Sequence, residues 1–279
     1  MFETLLAIQS LLPWAVAVAV QALALHVGFS SVREAQRSAE RAARPVWAVS
    51  SSRWLLLQAA LALATGQSAA MVLGLPGQAE TAQLHFGLLE LLLLTSLAIV
   101  AMLPALLLLT RRQDNQSVLP VAAGLALAAL AVNMGWLHAA GEGPGPAWRA
   151  LWLALAGLTM CLGLASTLRL AYVGAGRRGN DRKRWRLAAA ALGAVCLVFG
   201  ESLVLAAAEF PQSSLAPVAA EVPTDVLAVV AGVCAPLLLL LMWGLLLMRR
   251  QLAAPEPRPR RDRRSGRSRS DRVTGHTKG

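Results

Sequence analysis

Apolar residues in this chain form long continuous runs, unlike the one-sided stripes of helices in water-soluble proteins. A run of about 20 apolar residues matches the thickness of the hydrocarbon core of a bilayer, whereas a helix in water keeps one polar face. The runs cover residues 8–29, 54–75, 86–109, 119–140, 148–172, 187–208 and 226–248. The pattern predicts an all-α integral membrane bundle of seven transmembrane helices.

The basic residues lie almost entirely in alternate connections between these runs. Of 26 Lys and Arg residues, 24 fall in the segments 30–53, 110–118, 173–186 and 249–279. Because Lys and Arg resist translocation, these segments are expected in the cytoplasm, with the N-terminus outside and the C-terminus inside. The first run is expected to remain as a span, because its start lacks basic residues and its length exceeds that of a signal peptide core. The Ala, Arg and Leu content indicates a GC-rich bacterial source, hence a multi-pass protein of the bacterial plasma (inner) membrane.

The chain has a threefold internal pattern of span, basic inner loop, span and short outer turn, which predicts three helix-pair repeats plus a final helix. Spans two and three, and spans four and five, are expected to be antiparallel neighbours because their connections are short and rich in Gly and Pro. The segment 30–53 is expected to extend the first helix beyond the membrane and to turn at Pro45. Residues 1–250 form the predicted membrane domain.

Residues 251–279 are predicted to be a disordered basic cytoplasmic tail, because Pro, Arg, Ser and Gly cannot bury enough apolar surface to offset the cost of ordering. A polybasic segment beside a final span favours contact with anionic lipid head groups. The alternatives are a simple topology anchor and the recruitment of protein or nucleic acid. Nucleic acid is the least favoured of these partners.

Strongly polar side chains inside the spans are costly and therefore indicate function. Counted from the span edges, several fall in the outer half of the bundle, and these are predicted to line an outward-facing pocket. They are Gln67, Glu90, Asn133 and Glu201, with Met71, Met134 and His138 as candidate metal ligands. Met134 and His138 are four residues apart and share one helix face, and Met with His suits copper. The alternative role for this layer is hydrogen bonding that holds the helices together.

Glu201 is the most informative residue of the layer, because Ala, Val and Leu surround it in the sequence. A carboxyl group there is expected to be partly protonated or paired, since burial disfavours the charged form. No soluble-enzyme motif occurs, including Walker A, Gly-x-Ser-x-Gly, His-Glu-x-x-His and Cys-x-x-Cys. The chain is therefore predicted not to be an enzyme. Cys161, Cys196 and Cys234 all lie inside spans and are expected to serve as small packing residues.

The second span opens Ser52-Arg53-Trp54-Leu55-Leu56-Leu57 and closes Gly74-Leu75-Pro76. With the threefold layout, these segments give residues 8–250 a resemblance to the MHYT seven-transmembrane bacterial sensor domain. In that family, spans two, four and six end in a Met-His-Tyr-Thr type motif, which has been proposed to bind copper and to sense a diatomic gas.

At the motif positions this chain has other residues. Ala70 and Met71 stand at the Met and His positions of the second span. The fourth span keeps Met134 but has Gly135 for the His, with His138 at the Gly position. Glu201 follows Phe199 and Gly200 in the sixth.

Two functions remain open from the sequence. The resemblance implies a signal-sensing or regulatory membrane protein that passes its signal to a cytoplasmic or membrane partner. The alternative is a small proton-coupled transporter that uses Glu90 and Glu201. The cofactor, if there is one, stays unknown, and copper is the ion that the ligand types favour.

Overall fold

Leu and Ala dominate the apolar runs and are strong helix formers, and in lipid each backbone polar group must be satisfied within its own segment. The computed structural model describes residues 2–75, 85–86, 88–111, 118–139, 146–175, 180–209 and 222–252. Its long helices are α1 (Phe2–Arg41), α2 (Ser50–Gly74), α3 (Leu88–Arg111), α4 (Val118–His138), α5 (Ala150–Ala175), α6 (Asn180–Ala207) and α7 (Thr224–Leu252). The predicted tail from 253 onward lies outside the described residues, as do most of the predicted outer turns. The described residues up to Trp243 belong to one compact unit, and the helix contacts described below all lie within it.

Within the described residues, seven helices are long and apolar enough to cross a membrane, each over one of the predicted runs. The chain is therefore a multi-pass integral membrane protein, and the predicted all-α class is confirmed. The structure also confirms that the first helix continues past the apolar run 8–29, because α1 extends to Arg41. After it, Pro45 has extended backbone and precedes a short 3₁₀ helix, Val46–Ala48.

Two short antiparallel strand pairs lie at one end of the bundle, which we call the strand end. They join β1 (His85–Phe86) to β4 (Val222–Pro223), and β2 (Ala147–Trp148) to β3 (Ala208–Glu209). Beside the second pair, the backbone N–H of Arg149 donates to Ala207 O at 2.9 Å, and the guanidinium forms an ion pair with Glu209. Arg149 lies outside the four basic segments, at the end of the bundle opposite to them, and here a carboxylate pairs with it.

The central layer is built from α1, α2 and α6. Among the described helices, α1 packs most extensively on α2, α5 on α6, and α1 also against α6, while α2 contacts α3. Helix α4 also contacts α5, so both predicted neighbour pairs, α2–α3 and α4–α5, are in contact. The core cluster that includes residues of α1, α2 and α6 consists mostly of Ala, Val and Leu. These are the small and medium side chains that let membrane helices approach closely. The apolar side chains of α3 and α7 are mostly exposed, as expected of helices that face lipid.

The opposite end of the bundle, where α1 ends and α2 begins, is closed by polar contacts of a different kind. Glu34 is buried, and its oxygens lie 3.4 Å from Arg37 Nη1 and 3.6 Å from Arg41 Nη2. Ser52 Oγ donates to Ala35 O at 3.0 Å, and Gln36 Nε2 donates to Leu109 O at 3.3 Å. These bonds tie α2 and α3 to the extended part of α1.

Candidate functional site

Four buried polar side chains from four helices meet around Gln67 of α2. Gln67 Nε2 donates to Glu201 Oε1 of α6 at 2.5 Å and to Asn133 Oδ1 of α4 at 3.0 Å. Gln67 Oε1 accepts from Gln21 Nε2 of α1 at 3.3 Å. All four side chains are at most 2% exposed. We call this set the Gln67 network, and its central amide uses both donors and its acceptor on three other helices.

The Gln67 network lies near the strand end. Gln67, Asn133 and Glu201 are seven, five and six residues from the last residues of α2, α4 and α6. At a rise of about 1.5 Å per residue, that depth is about 8–11 Å from the helix ends. A second bond at this level, from Trp136 Nε1 to Ser68 Oγ at 3.2 Å, also joins α4 to α2.

Some polar atoms of the Gln67 network have no hydrogen-bond partner among the described residues. They are Gln21 Oε1, Asn133 Nδ2 and Glu201 Oε2. A buried polar group without a partner costs about 1–3 kcal/mol, and a charged one costs more. A gap of about 10 Å³ beside Gln21 and Gln67, otherwise lined by apolar side chains, is about the size of one water molecule. The network is thus fully bonded at its centre and open to further partners at its edges.

Beside Glu201 lies a cavity of about 160 Å³ between α1, α2 and α6. We call it the strand-end cavity. Its lining is largely apolar, and Glu201 and Ser202 contribute the carboxyl and hydroxyl groups. The larger side chains of its wall include Trp14 of α1 and Met71 of α2. In the described part of the chain no Lys, Arg or His lines this cavity.

A glycine allows α1 and α2 to approach closely next to the Gln67 network. A Cβ at Gly66 would overlap the Cβ of Ala24 and lie 2.8 Å from Gln21 Oε1. With hydrogen at this position, Gln21 reaches Gln67 across the helix interface. The residue preceding Gln67 therefore sets the geometry of the network.

The structure brings together three of the predicted site residues, namely Gln67, Asn133 and Glu201, and it places Met71 in the wall of the strand-end cavity. The others stand apart from this cavity. Glu90 is exposed in the first turn of α3, His138 is exposed in the last turn of α4, and Met134 is half-buried.

The candidate metal ligands therefore lie in different surroundings. The strand-end cavity joins Met71 to Glu201, and neither Met134 nor His138 is among the residues that line it. Among the described residues, no group of three or more His, Cys, Asp or Glu side chains could hold a metal ion. Copper at Met71, Met134 and His138 stays a prediction from the sequence.

Sequence reasoning missed Gln21, Trp14 and Ser202. Gln21 lies near the middle of the apolar run 8–29, deeper than the predicted outer layer, yet it bonds to Gln67. The signal that could have found it is the pairing of two glutamines on neighbouring spans, since each needs a partner in lipid.

Comparisons with protein-family models, with curated proteins and with solved structures found no match.

Proposed function

We propose that this chain is a signal-sensing or regulatory membrane protein, in the manner of the MHYT domain that its sequence resembles. One observation carries the proposal: Glu201 both lines the strand-end cavity and bonds to Gln67, whose amide joins three other helices. A molecule that contacts Glu201 therefore acts on the bonds that hold α1, α2, α4 and α6 in register.

In this proposal the signal travels along the helices of the bundle. When Glu201 takes a new partner in the cavity, its bond from Gln67 weakens or reorients, and the four helices change their packing. The helices α1 and α2 carry this change to the opposite end, where Ser52 and Glu34 hold the basic connection. Coupling between two such sites amounts to about 1–3 kcal/mol in known cases.

The proposed orientation puts the strand end outside and the basic connections in the cytoplasm, in a bacterial plasma membrane. The cavity would then sample the outer side, and the basic segments would meet anionic lipid head groups and a signalling partner. Support for this orientation comes from the distribution of Lys and Arg in the sequence.

Hydrogen exchange tests the sensory role without knowledge of the ligand. Gln67→Leu breaks the network, whereas Gln58→Leu removes another glutamine of the same helix, whose Nε2 donates to Met242 O at 2.8 Å. We expect backbone amides of residues 36–52 at the opposite end to exchange about 5-fold faster or more in Gln67→Leu than in Gln58→Leu. Equal exchange in the two variants would mean that the network holds the helices together locally and signals nothing.

A proton-coupled carrier is the second candidate, and it is specifically favoured by Glu201 Oε2, which has no hydrogen-bond partner in the part of the chain that the structure describes. A buried carboxyl group is a place where a proton binds and leaves. In proteoliposomes with an acidic exterior, the carrier role predicts that Glu201→Gln reduces proton entry to that of empty liposomes. Asp181→Asn, at the exposed start of α6, is the matched control. A wild type that admits no protons rules the carrier out.

A further inference from the structure

We infer that the strand-end cavity binds a small organic ammonium ion, with the Glu201 carboxylate as its counter-ion. The inference deepens the proposed function, because it names the class of molecule that would act on the Gln67 network.

The hydrogen bonds already made by the oxygen atoms in the cavity wall indicate what kind of ligand they can accept. Glu201 Oε1 already accepts from Gln67, and Oε2 has no partner among the described residues. Ser202 Oγ donates to Val198 O at 3.0 Å, so its hydrogen is engaged and only its lone pairs remain. Glu201 and Ser202 both line the cavity, and their side-chain oxygens therefore suit a ligand that donates hydrogen bonds.

The charge of the side chains in the cavity wall also indicates the charge of the ligand. Glu201 is 2% exposed, and a carboxyl group so buried either holds a proton or pairs with a positive group. The cavity wall offers no Lys, Arg or His among the described residues, so a positive partner for the ionised carboxylate would come from what binds there. An ammonium group supplies both the charge and the N–H donors. An anion or a pure acceptor would face the carboxylate directly and be repelled.

The remaining side chains of the wall and the volume of the cavity indicate the shape and size of the ligand. Trp14 is the aromatic type that binds cations best, and the thioether of Met71 is polarizable. The other lining side chains are apolar and suit an alkyl group. A volume of about 160 Å³ is close to that of a cavity known to hold benzene. The ligand is therefore an amine of about six heavy atoms with one charged end and one apolar end.

Calorimetric titration of the full chain in detergent tests this inference with three probes of equal size. Pentylammonium carries the charge, 1-pentanol is its neutral counterpart, and butanoate is an anion. We expect pentylammonium to bind saturably and about 10- to 100-fold more tightly than 1-pentanol, with no binding of butanoate. Glu201→Gln should remove that preference. Titration of this variant in the same detergent also corrects for uptake of the amine into micelles.

A second variant keeps the test decisive if Glu201→Gln does not fold. Trp14 is 39% exposed, so Trp14→Leu leaves the Gln67 network in place. It should weaken pentylammonium binding about 2- to 5-fold and leave 1-pentanol unaffected. Equal affinity of the wild type for pentylammonium and 1-pentanol overturns the inference, as does unchanged pentylammonium binding in folded Glu201→Gln.

The same titration separates this inference from the proposed function. Binding that depends on Glu201, without a change in hydrogen exchange at residues 36–52, keeps the ammonium site and overturns the sensory role. Absence of binding, together with the difference expected between Gln67→Leu and Gln58→Leu, overturns the ammonium site and keeps the sensory role.

Discussion

Gln67 is the residue on which the candidate site depends most, because one side chain satisfies groups on α1, α4 and α6. A hydrogen bond between membrane helices contributes on average about 0.6 kcal/mol, so three contribute about 2 kcal/mol. We therefore expect Gln67→Leu to lower the free energy of unfolding by about 2 kcal/mol, and Gln58→Leu, with one bond, by about 0.6 kcal/mol. Unfolding in mixed micelles of increasing SDS content measures both. Equal losses would contradict the central place given to Gln67.

The sequence could predict the depth of the polar residues but not the direction in which each side chain points. Gln67, Asn133 and Glu201 were assigned to one layer by counting from span edges, and they meet there. Glu90 was assigned to the same layer and is exposed, because a span of continuous Leu shows no periodic polar face that would reveal its orientation. Counting from the edges of the run 8–29 puts Gln21 at mid-span, yet it bonds to Gln67, because a shift of a few residues in a span edge changes the depth of a side chain by a full turn.

The prediction of a metal site also depends on individual residues. Met134 and His138 share a face of α4, and His138 is exposed there. If they form a copper site, purified wild-type protein should contain copper in stoichiometric amount, and Met134→Ala/His138→Ala should contain none. Elemental analysis and absorbance spectra measure this directly. A wild type free of copper would leave Glu201 as the working group.

At the scale of elements, the contact between α1 and α2 decides the geometry of the site. A Cβ at Gly66 overlaps Ala24, whereas a Cβ at Gly157 of α5 would make an ordinary contact, 3.7 Å from Leu130 Cδ2. We expect Gly66→Ala to cost about 1–3 kcal/mol, because α1 must move outward. Gly157→Ala should be neutral or stabilise by up to about 1 kcal/mol. Comparable unfolding of the two variants would mean that the helices are less tightly packed at Gly66.

The elements themselves were predicted to different degrees. The helices follow from apolar runs, and the extension of α1 to Arg41 follows from a polar segment that contains no Pro before Pro45. The four strands were not predicted, because two residues are too short to show an alternating pattern. Their position gives a reason for Arg149, whose partner Glu209 lies 60 residues away in the sequence.

At the scale of the whole molecule, the orientation in the membrane is a prediction from the charge distribution. Cysteines placed at exposed Ala42, near the end of α1, and at exposed Ala147, at the strand end, mark the two sides. In a background without native cysteines, an impermeant thiol reagent should label Ala147→Cys on intact spheroplasts. It should label Ala42→Cys only after permeabilisation, because the predicted orientation places the basic connections in the cytoplasm. The reverse pattern of labelling would invert the proposed topology.

The sensory account claims that occupancy near Glu201 changes the packing at the far end of the bundle. Spin labels at Arg53→Cys and Asp181→Cys, two exposed positions at the starts of α2 and α6, report that packing as a distance. The account predicts that saturating pentylammonium shifts this distance by about 1–2 Å in the wild type and leaves it unchanged in Glu201→Gln. An unchanged distance in wild-type protein that has bound the amine would contradict it.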